Sequence, residues 1–202
     1  MIDNTQIALA ITGASGAPYS KRLLEVLLAQ GMTVHLMISA AGRIVLADEL
    51  DWKLPARASD VHKQLVAEFN CEADLLQVYG EQQWSSPLAS GSHRVGTMIV
   101  CPCTMGSLSS IAVGSSDNLI NRAADVMLKE NRKLILVPRE APFSAIHLEN
   151  MLKLARLGVC ILPPNPGFYF KPSQLSDIVD FVVARILDQA NIEHDLMPRW
   201  GE

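Results

Sequence analysis

The sequence predicts an α/β fold, a parallel sheet with helices on both faces, and three observations carry that prediction. Short, mostly apolar runs at residues 6–12, 33–38, 97–101 and 133–137 read as strands buried on both faces. Stretches with apolar residues at helical spacing follow them. The junctions between the two are small-residue or hydroxyl turns: 13–17, Ser39 and 104–107.

Taken in order, the first strand ends in GASGA, and Pro18 suits the start of a helix because its missing N–H would have no partner there. Leu23, Leu24, Leu27 and Leu28 then face the sheet. Ser39 can cap a helix over 40–50 with Ile44, Val45 and Leu46 on its apolar side. Residues 51–91 are least regular, with a helix over 59–69, a short strand over 75–78 and a polar loop holding Trp84. After the 97–101 strand come helices to about Val113 and over 118–130, a strand over 133–137, a helix over 145–157 and a strand over 159–162. The proline-rich stretch 163–172 is irregular. A last helix over 174–189 buries Ile178, Val179, Val182, Val183 and Ile186. The order is that of a Rossmann-like or flavodoxin-like domain spanning 1–202, its tail from 190 packing on the site or a neighbouring subunit. Ligands of such sheets sit beyond the carboxyl ends of the strands.

Composition narrows the function. Apolar residues make up 49% and charged residues 19%, a ratio that fits surface buried between subunits of a homo-oligomer. No apolar run reaches the roughly 18 residues of a membrane helix. A net charge of −4 without a basic block argues against nucleic acid. MIDNTQ lacks the layout of a signal peptide. Cys71, Cys101, Cys103 and Cys160 form neither a disulfide framework nor a zinc pattern, which fits a cytoplasmic protein.

The helix start after Gly13–Gly16 offers backbone N–H groups to an anion, and Ser15 adds a hydroxyl. An ordinary tight turn would look the same, and the third glycine of the dinucleotide fingerprint is missing. Ser39 alone is explained by capping, and Arg139 with Glu140 by surface pairing. Arg122 and Lys129 fit a solvated helix face, and Tyr169 simple loop packing. Arg185 interrupts an apolar stripe and needs a partner or solvent. Trp84 and Trp200 would pack locally or cover a pocket.

Taken together, ITGASGAPYSKRLLEVL, ISAAG, GSSDNLINRAADVMLKENRKLILVPREAP, HLENMLKLARLGVCILPPNPGFY and VARILD resemble the flavin prenyltransferases of the UbiX type, over about residues 6–189. The resemblance implies flavin mononucleotide (FMN), reduced and acting as prenyl acceptor, on Gly13, Ala14, Ser15, Ser39, Thr104, Met105, Gly106, Ser107 and Arg139. It implies dimethylallyl monophosphate as donor, held by Tyr169 and Arg185 with Arg122, Lys129 and Glu140 close by. It also implies a homo-oligomer, a dodecamer, with Arg122 and Lys129 coming from a neighbouring subunit. The product would pass to a prenylated-FMN-dependent decarboxylase, ubiquinone biosynthesis being the implied pathway. Ala141, Gly167 and the CPCTMGS turn depart mildly from the family pattern.

On that resemblance, Arg122, Lys129 and Arg185 would stabilise charge on the departing phosphate. Glu140 would shuttle a proton there and Ser15 one at the flavin. Trp84 would shield the allyl cation. No metal is called for. An FMN-dependent decarboxylase of the same superfamily would need a catalytic histidine that this chain lacks at a matching position. A flavodoxin-like electron carrier would have no use for Arg122, Lys129, Tyr169 and Arg185 together.

Overall fold

A computed structural model describes residues 2–198. Six parallel strands, β1 (Asp3–Ile11), β2 (Thr33–Ile38), β3 (Leu76–Tyr79), β4 (Val95–Cys103), β5 (Lys133–Pro138) and β6 (Cys160–Ile161), form one sheet. Their order is β3-β2-β1-β4-β5-β6. This is the order of doubly wound dinucleotide folds, whose chain direction across the sheet reverses between the first and fourth strands. Among the described residues seven α-helices flank the sheet, six of them between strands and the last after β6: α1 (Ala17–Ala29), α2 (Ala40–Leu50), α3 (Ala58–Phe69), α4 (Met105–Val113), α5 (Leu119–Lys129), α6 (Ala145–Arg156) and α7 (Leu175–Ala190).

Alternation along β1 divides the core. Ile7, Leu9 and Ile11 meet the apolar faces of α1, α3 and α7. Ala8 and Ala10 turn the other way, onto the side lined by α4, α5 and α6. The small alanines leave room for the bulkier Met37, Met98 and Met127 on that face. Ile44 departs from the expected pattern: it is 62% exposed, and Leu46 alone of its trio is fully buried.

The sheet also buries a polar cluster. His35 on β2 places Nδ1 3.0 Å from the Tyr79 hydroxyl and Nε2 3.0 Å from Oε1 of Gln6. The amide oxygen can only accept, so Nε2 carries the proton and Nδ1 accepts from Tyr79. Burial first, then the neighbouring His93, pushes the His35 pKa down to about 4 from the usual 6.5. The unfolded chain therefore binds the proton more readily than the folded one. Stability should be complete above about pH 6.5 and fall as pH drops towards 4, by roughly 2 kcal/mol from this group. Denaturant titrations across that window check it, and His35→Gln should flatten the slope.

Candidate active site

The carboxyl edge of the sheet gathers the turn after β1, the start of α2, the start of α4 and Arg139 after β5. At the first, Gly16 precedes α1 with φ +125°, a conformation suited to glycine. Gly13 and Gly42 serve a different purpose. A Cβ on Gly13 would lie 2.4 Å from that of Ala41, and one on Gly42 would lie 2.7 Å from the Ile11 carbonyl oxygen. Both glycines let α2 lie directly against the end of β1.

That packing sends Glu49, in the last turn of α2, back over the start of α1. Its carboxylate accepts the N–H of Gly16 at 2.9 Å and of Ala17 at 2.8 Å. Burial pushes its pKa up, but hydrogen bonds from Ser15, Gly16 and Ala17 and the charge of Arg139 outweigh this and hold it below the usual range. The sequence reading offered these N–H groups to an outside anion. The structure corrects it: the anion at the α1 terminus is the chain's own carboxylate. A phosphate there would meet a like charge.

Two other helix starts carry hydroxyls. Ser39 caps α2 by accepting the Gly42 N–H at 3.0 Å, as the sequence predicts. The Glu81 carboxylate, from the loop that carries Trp84, accepts the neighbouring Ala40 N–H at 3.2 Å. Thr104 caps α4, accepting the Ser107 N–H at 3.0 Å and donating to the Ser107 hydroxyl at 3.0 Å. Ala14 and Met105 are buried in this chain, so each offers a ligand chiefly its backbone. Gly106 and Ser15 are exposed. The Arg139 N–H bonds the Cys103 carbonyl at 3.3 Å, which ties the end of β5 to that of β4.

Trp84 is 46% exposed. Its loop is pinned by the Leu119 N–H to the Glu81 carbonyl at 2.8 Å, which brings it beside Ser39. Glu140 Oε1 accepts the Ala141 N–H at 3.1 Å.

The phosphate-facing candidates fall in two other places. Tyr169 packs edge-on against Phe181 and Phe170, with ring centroids 5.9 and 6.0 Å apart. Arg185, one turn beyond Phe181 on α7, pairs with Asp188 at 2.6 Å and borders a cavity of about 350 Å³ with Asn165 and Gln189. Arg122 bonds the Ala89 carbonyl at 3.1 Å and Asp125 at 2.8 Å. Lys129 closes α5 beside Glu130, four residues before β5 begins. It therefore lies at the amino edge of the sheet, the far side from Ser15. One chain does not bring Lys129 to Ser15.

The stretch after α7 packs on its own chain, with Ile192, Leu196 and Met197 against the α1–α7 side of the core. Trp200 lies outside the described residues. Glu49 is the site residue that the sequence reading missed. The only hint of Glu49 was an acid in the last turn of a helix, where the macrodipole disfavours it.

The sequence matches the flavoprotein family model over residues 1–187. It is 52% identical over 197 residues to the flavin prenyltransferase UbiX of Pseudomonas aeruginosa, covering 98% of this chain and 94% of that one. A crystal structure of AnUbiX (PadA1) in complex with FMN and dimethylallyl pyrophosphate superposes with a TM-score of 0.86 at 37% identity, covering 98% and 97% of the two chains. A dodecameric FMN-dependent UbiX-like decarboxylase from Escherichia coli O157:H7 does so with 0.84 at 41% identity, covering 98% and 99%.

Proposed function

The chain belongs to the flavoprotein family and, within it, to the UbiX-type flavin prenyltransferases, and from that premise we propose how its residues transfer a prenyl group to FMN. The donor in this reading is dimethylallyl monophosphate: its allylic C–O bond breaks, phosphate leaves, and the prenyl unit becomes joined to N5 and C6 of the reduced flavin, whose two displaced protons go to the alkene and to the phosphate.

The observation that carries the mechanism is the Glu49 carboxylate at the start of α1, which accepts the Gly16 and Ala17 N–H groups next to the exposed Ser15. A hydroxyl backed by a carboxylate held ionised is what removing a proton from the flavin's N5 requires. Glu49 at α1 and Glu81 at α2 both direct the cofactor phosphate towards the hydroxyl-capped start of α4 at Thr104–Ser107, with Ser39 left to border the cofactor. The flat ring then lies against Gly13–Ser15, with Arg139 at its edge. An electron carrier needs no such proton acceptor.

At the donor end, Tyr169 and Arg185 hold the phosphate, and Glu140 supplies or takes its proton. Arg122 and Lys129 add positive charge from a neighbouring copy, a reading supported for Lys129 by its place at the opposite sheet edge from Ser15. We read the assembly as a homo-oligomer of dodecamer type, and Trp84 as the ring that excludes water from the allyl cation. The four free cysteines fit a cytoplasmic setting. The product passes to a decarboxylase that uses prenylated FMN, with ubiquinone biosynthesis as the pathway.

The decarboxylase alternative lacks a histidine in place. His147 is the one nearest the carboxyl edge, and it is engaged with Ser144 in the cap of α6. Anaerobic incubation with reduced FMN and dimethylallyl monophosphate, followed by mass analysis of the flavin, decides between them. A flavin heavier by one five-carbon unit is expected. Unmodified FMN would overturn the reading.

A further inference from the structure

Ladder pairing between β4 and β5 is interrupted between Val100 and Cys103, where the chain turns into the 104–107 segment. The carbonyls of this irregular stretch are gripped from the first β–α unit instead. The Ser20 hydroxyl donates to the Cys101 carbonyl at 3.0 Å. Thr12 does more. Its backbone N–H and its hydroxyl both donate to the Pro102 carbonyl, at 3.2 and 2.8 Å. Its hydroxyl oxygen then accepts the Thr104 N–H at 2.9 Å.

Thr12 is 2% exposed, so it touches no ligand. It is the last residue before the 13–17 turn, and it binds the first residue of the 104–107 turn. These are the two segments on either side of the point where the sheet order reverses. We propose that Thr12 is a positioning residue: its hydroxyl acts as a bolt that sets the spacing between the two flavin-binding turns. The inference rests on the reading that FMN lies on both turns. The side chain does this with one oxygen used in both senses, donor to one backbone group and acceptor from the next. Valine has the same shape and can do neither. Serine can do both.

The test compares wild type, Thr12→Val and Thr12→Ser for the FMN dissociation constant, the KM for dimethylallyl monophosphate and the melting temperature. Thr12→Val strands a part-buried Thr104 N–H and should weaken FMN binding about ten-fold. It should leave the donor KM within about two-fold, because Tyr169 and Arg185 stand on other elements. Thr12→Ser should restore FMN affinity to within about three-fold of wild type. A residue that merely supports the fold would lower melting temperature and active fraction without splitting the two constants. FMN affinity unchanged in Thr12→Val would overturn the proposal and leave the flavin site standing. Absence of FMN binding by the wild type would remove both. Should Thr12→Val fail to fold, Thr12→Ser decides: near-native affinity supports the bolt, and a large loss assigns Thr12 to methyl packing and overturns it.

Discussion

Glu49→Gln should slow prenyl transfer by roughly a hundred-fold or more while FMN remains bound. The substitution preserves size and removes the charge. In the native chain the carboxylate accepts from Gly16 and Ala17 at once beside Ser15, and Arg139 adds to its hold on the ionised form. A neutral amide can still accept one of these N–H groups, so the turn keeps its shape. It cannot take a proton passed on by the Ser15 hydroxyl. Rapid mixing of the reduced, FMN-loaded variant with dimethylallyl monophosphate would show the slow step directly, with the FMN dissociation constant as the control for binding. A native rate would remove the Ser15–Glu49 pair from the chemistry and leave Glu49 as a helix cap.

Gly42→Ala is expected to have the largest effect on the fold around the site. The added methyl would sit 2.7 Å from the Ile11 oxygen and 3.2 Å from the Ser39 hydroxyl oxygen. Neither the Ile11 backbone nor the capping serine can yield cheaply, so α2 must shift outward. Overpacking of this kind costs roughly 1–3 kcal/mol, a drop of roughly 2–10 °C in melting temperature for a chain of this size. The shift also carries Ser39 and Glu49 away, so FMN affinity should fall about ten-fold in the same variant. Gly80→Ala is the control: a methyl there meets nothing within 4 Å, and the glycine has no positive φ. Melting curves and FMN titrations of the two variants, side by side, check the expectation.

Local pattern made much of the fold legible. Ser39 as cap and α2 over residues 40–50 match what the sequence predicts, because capping and helix initiation depend on neighbours in the chain. β4 runs longer than the 97–101 expected, taking in Gly96 and Pro102, residue types that ordinarily interrupt a strand. In the fold, Gly96 sits where a Cβ would crowd Ile2, and Pro102 occupies the irregular stretch where the ladder to β5 is interrupted. Neither position is asked to behave as an ordinary strand residue. The site was legible as a set of turns on one edge, but not as a set of interactions. Glu49 reaches Gly16 across 33 residues of chain, and no periodicity reports such a crossing. The resemblance to a family named Ser15, Lys129 and Tyr169 together, and only the topology separates them onto different edges of one chain.

The separation of Lys129 from Ser15 has a genetic consequence. In the proposed assembly each complete site draws Ser15 from one copy and Lys129 from another, so two defective alleles could repair each other. Chains carrying Lys129→Leu and chains carrying Ser15→Ala would each be inactive alone. Co-expressed in equal amounts and randomly assembled, they would leave about a quarter of the sites with both native residues. A mutation placing both changes in one chain could only poison its neighbours, and a carrier of that allele would lose more activity than its share of the protein.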